Sequence, residues 1–466
     1  MESGRNNTLE EVNSKCGKIS SLEKTIAKLY IFFLPIRLFS QLDFLKSILN
    51  VAANYMAIVF HIFGLLAWLL NENFTFRLNN KKNGELFKGF AWLIVYLNGS
   101  SIIMACVIQL IHGSYAGETA FSGIAGILIY FFQFLLMILY NIRVFTVLNK
   151  KEIKKTLHTL CVALLGLGYI QVAVMNGIGG AIYDRLDIFD VLYNSNMPKL
   201  CLTVSEGASA GCLIGVLVVP FLLSEIMEGN YKWAIIELVL WLIPLFFTYS
   251  STAYILFAIN IAVFLLLSLR YKKGNGSWIY WGLIIFTVII VFVILLGTGL
   301  LSSGAMADIR YLLFEKATDG ENGSTVSRSI PLITNWGAFT EYPIFGVGNG
   351  LQGYFYVKYF PDWAFHVAGS DVLEFYERSK YGIANGGIFI PSLLSGYGIV
   401  GCIVIISFIW KALKLNKERK EQNGSFYYMC IMGMIGFLVA GFQGNLFGVY
   451  YAWFVLSLFF IPEDKQ

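Results

Sequence analysis

Residues 327–355 read SRSIPLITNWGAFTEYPIFGVGNGLQGYF and hold a single cation, Arg328, followed by a run of glycines. A serine on either side of Arg328 can cap a helix, and Pro331 suits the first turn of that helix. Because the dipole is positive at a helix N-terminus, a cation is unfavourable there unless an anion also binds. Such an end with an arginine beside it is suited to holding a phosphate. The alternative for Arg328 is an ion pair with Glu341 or a contact with a lipid phosphate.

The same stretch predicts a short amphipathic helix followed by a tight turn. Four apolar side chains recur at helical spacing: Ile330, Ile333, Trp336 and Phe339. The glycines that follow allow positive φ and close backbone approach: Gly346, Gly348, Gly350 and Gly353. A GxGxG run without a strand before it and a helix after it does not indicate nucleotide binding. We interpret the turn as scaffolding that seats this loop on the membrane domain.

A second candidate for chemistry is Glu206, in the stretch LTVSEGASAGCLIG at 202–215. It stands at the start of an apolar run, and a carboxylate next to the bilayer is costly and therefore indicates function. The small residues that follow allow another helix or a substrate to come close. The alternative is that Glu206 caps its own helix, because acids favour that end. The two roles are compatible.

Other polar residues have plainer interpretations. Arg185, in YDRLDIFD, is flanked by aspartates that predict an ion pair within its loop. His366 is the only histidine of the long polar interval, and a lone histidine is more often a packing or surface residue than a base. The sequence TYSSTAY at 248–254 predicts a polar hairpin tip. Polar residues within apolar runs predict interhelical hydrogen bonds: Gln171, Glu237, Asn260, Gln443 and Asn445.

The elements that must position these residues are membrane helices. Only 14% of the 466 residues are charged and 57% are hydrophobic, whereas soluble domains carry about 25% charge. A bilayer crossing takes about 20 apolar residues in a helix. We therefore predict an all-α polytopic membrane protein with about 12 transmembrane helices and one long extracytoplasmic loop that contains short helices. The predicted segments are 26–40, 48–70, 89–112, 123–145, 157–178, 200–223, 233–248, 251–269, 278–299, 387–411, 427–445 and 447–462.

Lysines and arginines cluster in alternate loops, which places those loops and both termini in the cytoplasm. The predicted division is a cytoplasmic tail at 1–25, nine transmembrane helices over 26–299, an extracytoplasmic loop at 300–386, three helices over 387–462 and a cytoplasmic tail at 463–466. The long loop exceeds what a connector needs, which indicates function.

The net charge of +5 does not indicate nucleic-acid binding, because the cations lie in short clusters between apolar runs. The seven cysteines form no CxxC pair, so no zinc or other metal site is expected.

Taken in order along the chain, these motifs resemble the Wzy-type polysaccharide polymerases and the related O-antigen ligases. The resemblance rests on Arg185 and on the elements TVSE…SAG, TYSSTAYI, SR…W..F...PIFGVGNG and NGGIFIPSLLSGYGIVG. These elements lie between residues 183 and 401, and the predicted topology of the whole chain agrees with them.

The resemblance implies that a glycan leaves an undecaprenyl-diphosphate carrier on the outer side of the bacterial cytoplasmic membrane, without metal, nucleotide or other cofactor. It implies that loop arginines hold the acidic diphosphate, a role that falls to Arg185, Arg310 and Arg328. Glu206 matches the acid of a Ser-Glu-Pro-Ser-type element in which Gly207 replaces the proline. Chemically, the acid can accept the proton of the attacking hydroxyl, while arginines stabilise the diphosphate that leaves.

The family's ligases have a His-Asn pair ahead of the closing glycine segment, where this chain has AFHVAGSD. This departure favours a polymerase that inverts the anomeric carbon, and Glu206, Arg328 and His366 are then the expected catalytic residues. The expected partners are the lipid-linked donor and acceptor, the bilayer, a chain-length regulator and a flippase, and no nucleic acid. The alternatives are a glycan ligase, a cell-wall polymerase of the shape, elongation and division type, a flippase or transporter for lipid-linked oligosaccharides, and a non-catalytic assembly partner.

Overall fold

The computed structural model describes residues 21–38, 42, 44, 54–72, 81–113, 124–178, 199–204, 206–269, 323–367, 373–377, 388–442, 444, 446 and 448–461. Within these ranges the regular structure is helical, apart from an isolated antiparallel bridge between Arg37 and Tyr55. The predicted all-α class is therefore confirmed for the described part of the chain. Predicted segment 278–299 lies outside it.

The helices are numbered in chain order. They are α1 (21–32), α2 (Ala57–Asn71), α3 (Lys81–His112), α4 (Ile124–Val147), α5 (Lys150–Met175), α6 (Gly207–Glu228), α7 (Tyr231–Phe247), α8 (Ser251–Leu269), α9 (Gly323–Glu341), α10 (Gly353–Tyr356), α11 (Ala364–Val367), α12 (373–377), α13 (Phe389–Glu418), α14 (Lys420–Asn423), α15 (Ser425–Ala440) and α16 (Tyr450–Ser457).

Five of the described helices are long and apolar enough to cross a bilayer, and several shorter apolar helices accompany them. They identify an integral membrane protein. The five are Lys82–Ile111, Lys150–Met175, Gly207–Glu228, Ser251–Ser268 and Phe389–Glu418. The first predicted segment, 26–40, differs from expectation, because α1 ends at residue 32 and the chain turns before reaching the bridge at Arg37. Pro35 has no amide hydrogen to continue the helix.

Helix α6 is the centre of the bundle and is buried from residue 210 to residue 227. Three glycines spaced four residues apart let α6 lie close to α8 and to the turn that precedes it. A Cβ at Gly207 would lie 2.4 Å from the carbonyl oxygen of Thr248. One at Gly211 would lie 2.6 Å from the Cβ of Ala253, and one at Gly215 would lie 2.5 Å from a Leu256 carbon. The predicted close approach of another element is confirmed at Gly207.

A π-helical turn, Ile214–Val218, interrupts α6 and contains the last of these glycines, Gly215. Such a turn changes the pairing of the backbone carbonyls around it. The Asn260 side chain of α8 donates a 2.7 Å hydrogen bond to the Gly215 carbonyl. The expected interhelical role of Asn260 is therefore confirmed. Predicted contacts of Gln443 and Asn445 lie outside the described residues.

One end of the bundle is held by ion pairs. Lys154, near the start of α5, contacts Glu225 at 3.1 Å and also Glu228, at the end of α6. Glu228 in turn accepts a 2.6 Å bond from the backbone N–H of Ser425, at the start of α15. Further along α5 and α7, His158 lies 3.1 Å from Glu237. These contacts bring the cation-rich start of α5 together with the C-terminal end of α6 and the start of α15.

Helix α9 is seated on the bundle by the glycine turn that follows it. Gly346, Gly348 and Gly350 all have positive φ, which glycine adopts without strain. The backbone N–H groups of Val347 and Gly348 donate to the carbonyls of Ser395 and Gly396, at 2.8 and 2.9 Å. The backbone of α13 is itself non-helical at Gly398. The interpretation of the turn as scaffolding is confirmed.

Candidate active site

Glu206 stands at the end of the bundle opposite the ion pairs, on a loop that is locked in place. The side-chain amide of Gln171 pairs with both backbone groups of Leu202, donating at 2.9 Å and accepting at 2.8 Å. The N–H of Leu200 donates to the Phe247 carbonyl at 2.9 Å. Residues 199–204 are thereby held between α5 and the end of α7, which fixes where α6 begins.

The Glu206 carboxylate is exposed and does not cap its helix. The residue occupies the cap position with an extended backbone, φ −158° and ψ 163°, and its side chain makes no capping hydrogen bond. The alternative that Glu206 serves as a side-chain cap is therefore wrong. Position 207 requires glycine for steric reasons, because any side chain there would clash with the Thr248 carbonyl.

The negative charge of Glu206 acts on two thiols, one before it and one after it in the chain. Burial raises the pKa of Cys201 to about 11, with the Glu206 carboxylate adding to the rise and Lys199 opposing it. On α6, the buried thiol of Cys212 experiences the charges of both Arg328 and Glu206. Since Cys212 lies in α6 and Arg328 in α9, the charge of a residue on α9 acts on the first part of α6.

Arg328 does not lie at a helix N-terminus, contrary to the prediction. Helix α9 begins at Gly323, so Arg328 is in its second turn and Pro331 is inside the helix. The proposed ion pair with Glu341 is also wrong. The two residues are thirteen positions apart on one helix, a rise of about 20 Å. Glu341 instead pairs with Lys358 at 3.0 Å and accepts a 2.8 Å hydrogen bond from Tyr359.

The buried face of α9 also differs from the predicted apolar stripe. Ile330 is buried, but Ile333 and Trp336 are 39% and 58% exposed. The polar residues Thr334 and Asn335 are buried in their place. The Thr334 hydroxyl donates to the Ile330 carbonyl of its own helix at 2.9 Å, and Asn335 has partners on α10 and α13, so hydrogen bonds offset the cost of burying both.

A buried hydrogen-bond network fixes α9 to the bundle two turns after Arg328. The Asn335 Oδ1 atom accepts from the hydroxyls of Ser395 at 2.6 Å and Tyr356 at 3.0 Å. The Gln352 side chain donates to the Ser392 carbonyl at 3.1 Å and accepts from the Gly350 N–H at 2.7 Å. The network determines the position and rotation of α9, and with it the direction in which Arg328 extends.

His366 lies on α11, which packs against α9. Ala364 shares a hydrophobic cluster with Val326 and Ile330, the residues on either side of Arg328 along the helix. The imidazole of His366 is exposed. Among the described residues, no contact joins this side chain to Glu206 or Arg328. The structure therefore places the charges of Glu206 and Arg328 where both act on Cys212, and leaves His366 on a neighbouring surface.

Two predicted diphosphate-binding residues, Arg185 and Arg310, lie outside the described residues. The described part of the site combines a carboxylate with a guanidinium beside a buried thiol. Such a pair can accept a proton and stabilise an anion in the same reaction.

Comparison with known protein families finds a match over one part of the chain. Residues 236–370 match the family described as O-antigen ligase (Wzy_C). The matched segment contains Arg310, Arg328 and His366 and ends before α13, whereas Glu206 precedes it. The predicted resemblance to the Wzy-type polymerases and O-antigen ligases is confirmed for this segment. No curated protein matches the chain.

Proposed function

We propose that this integral membrane protein is a glycan transferase that joins undecaprenyl-diphosphate-linked repeat units into a surface polysaccharide. The observation that carries the proposal is that the charges of Glu206 and Arg328 both act on Cys212, with Arg328 inside the segment that matches the O-antigen ligase family. Members of that family polymerise or ligate lipid-linked glycans. An acid and a cation at one site are the groups that such a transfer needs.

The proposed site faces the outside of the cytoplasmic membrane. Helix α6 has 22 residues and is therefore about 33 Å long, enough to cross the hydrocarbon core. Its first residue adjoins Glu206, and its last residue lies in the ion-pair cluster around Lys154. Cations favour the cytoplasmic side. If the Lys154 end is cytoplasmic, Glu206 is on the opposite face, where lipid-linked repeat units are assembled.

The reaction follows from the charges at the site. The acceptor hydroxyl attacks the anomeric carbon of the donor sugar, and the bond between that carbon and the diphosphate oxygen breaks. Glu206 accepts the hydroxyl proton, and the electron pair of the broken bond stays on the undecaprenyl diphosphate. Arg328 stabilises this growing negative charge. Attack from the face opposite the leaving group inverts the anomeric carbon.

Ligation is the second candidate, because the matching family is described as O-antigen ligase. The two activities differ in the acceptor, which is another lipid-linked repeat unit in polymerisation and a different molecule in ligation. The sequence AFHVAGSD stands where ligases have a His-Asn pair, and the exposed His366 is not in contact with Glu206 or Arg328 in the described structure. Both observations support polymerisation.

The test is reconstitution of the purified protein with undecaprenyl-diphosphate-linked repeat units, with EDTA present and no nucleotide sugar. A ladder of longer lipid-linked glycans is the expected result. Transfer to a different acceptor without a ladder would assign ligation. Movement of labelled lipid across a liposome bilayer without new glycosidic bonds would replace the proposal with a flippase.

A further inference from the structure

Arg37 is held in place by its backbone from two sides. The chain at Ile36 and Leu38 pairs with the segment before α2, through Met56 N–H to Ile36 O at 2.8 Å and Leu38 N–H to Asn54 O at 2.9 Å. The N–H of Arg37 itself donates to Thr203 O at 3.1 Å. Arg37 is therefore anchored to the loop that ends at Glu206, three residues beyond Thr203.

The Arg37 side chain is exposed on this anchored segment, while the adjoining Leu34 and Leu38 are buried. Its backbone N–H is already satisfied, and the bridge to Tyr55 is made by main-chain atoms. The guanidinium has no role in these backbone contacts. A cation next to the bilayer is costly and indicates a function in its own right.

Electrostatic contacts connect Arg37 to the candidate site. The Arg37 charge acts on the Tyr55 phenol, which also interacts with the Cys212 thiol. The same thiol experiences the charges of Arg328 and Glu206. The ring of Tyr451 completes the connection, because it contacts Tyr55 edge to face at 6.2 Å between centroids. Arg37, Glu206 and Arg328 thus act on one group of contacting side chains, Tyr55, Tyr451 and Cys212.

The balance of charge around this group favours an anion. In the described structure the cations that act on it are Arg37 and Arg328, and the carboxylate is Glu206. Guanidinium groups on two sides of one group of side chains give a positive local potential, which favours an anion there. Guanidinium groups form two parallel hydrogen bonds to a phosphoryl group, which makes them better suited than lysine to this task.

We propose that Arg37 is a substrate-binding residue that contacts the diphosphate of the lipid-linked glycan from the bundle side, while Arg328 contacts it from the loop side. This assignment rests on the proposed function. It gives the diphosphate one contact on the fixed scaffold and one on the long loop. The sequence carries a signal for this role, an arginine within the apolar run 26–40, although the apolar composition of that run favours a transmembrane helix.

Binding of undecaprenyl diphosphate is the direct test, measured with the full-length protein in phosphatidylcholine nanodiscs. The variants are Arg37→Gln, Arg37→Lys and the control Lys358→Ala, which removes an exposed cation paired with Glu341. We expect Arg37→Gln to weaken binding at least ~10-fold, Arg37→Lys to weaken it less, and Lys358→Ala to leave it unchanged. Unchanged binding in folded Arg37→Gln protein would overturn the assignment.

A phospholipid headgroup offers the same phosphate chemistry, so the measurement is repeated in nanodiscs containing phosphatidylglycerol. If Arg37→Gln changes only the response to phosphatidylglycerol, Arg37 is a bilayer anchor and the proposal is wrong. Because main-chain atoms make the bridge, both Arg37 variants should fold, and their thermal stability verifies this.

Turnover separates this proposal from the proposed function. A wild-type protein that makes no glycan ladder contradicts the function, whatever Arg37 binds. A wild-type protein that makes a ladder, together with Arg37→Gln protein that makes the same ladder at the same KM, contradicts the role of Arg37 alone. We expect Arg37→Gln to raise KM more than it lowers kcat, because it removes a contact present before and during the reaction.

Discussion

The hydroxyl of Ser395 donates a 2.6 Å hydrogen bond to the Oδ1 atom of Asn335, and this bond ties α9 to the bundle helix α13. Asn335 lies two turns after Arg328 on the same helix. The link between a membrane helix and the candidate site therefore depends on a buried side chain that does not itself take part in the chemistry.

Replacing Asn335 with alanine should destabilise the protein and misplace Arg328. The substitution leaves the buried hydroxyls of Tyr356 and Ser395 without this acceptor, a loss of about 2–3 kcal/mol. Thermal unfolding in detergent and glycan transfer both report the effect. The control is Leu332→Ala on the same helix, where the side chain is 49% exposed. Equal stability of the two variants would contradict the structural role of Asn335.

Glu206→Gln should abolish transfer without changing stability. The Glu206 side chain makes no capping hydrogen bond, so the loss of about 1 kcal/mol expected for removing a cap does not apply. Turnover should fall by at least ~100-fold, the lower range for loss of a general base. The measurement is turnover and melting temperature on the same preparation. A variant that melts lower but retains turnover would return Glu206 to a structural role.

The contact between Gly211 and Ala253 can be tested by exchanging the two side chains. Gly211→Ala places a Cβ 2.6 Å from the Cβ of Ala253, so we expect lower thermal stability and lower activity. Adding Ala253→Gly to that variant removes the nearest atom but leaves the Cα of residue 253 at 2.9 Å, so it should restore both only in part. A double variant no better than Gly211→Ala would mean that the clash is not the cause.

The two ends of the bundle should react differently with a membrane-impermeant maleimide in intact cells. Cysteine at the exposed position Asp362 should be labelled, whereas cysteine at the exposed position Lys155 should require permeabilised cells. The background is an active protein without its native cysteines. The reverse pattern of labelling would place the proposed site on the cytoplasmic side.

Much of the helical framework could be predicted from the sequence, because the bilayer requires long apolar helices with their backbone groups satisfied. The first apolar run was misassigned for a local reason. Apolar composition alone does not distinguish a helix that crosses the membrane from one that stops at residue 32 and turns into a backbone bridge.

The site was only partly predictable. Glu206 and Arg328 were identified by residue type and surroundings, but their convergence depends on packing between parts of the chain that are far apart in sequence. The start and buried face of α9 were predicted incorrectly for a similar reason. Asn335 is buried because Ser395 and Tyr356 supply its partners, and these partners come from other helices.

The most direct measurement is the rate of glycan-ladder formation by reconstituted wild-type, Arg328→Ala and Lys358→Ala proteins of equal stability. Both substitutions remove one cation from the long polar interval, but only Arg328 acts on Cys212 together with Glu206. We predict that Arg328→Ala lowers the rate by at least ~100-fold, as for loss of one stabilising donor to a developing anion, and that Lys358→Ala does not. A wild-type rate in the Arg328→Ala protein would contradict the assignment of the site.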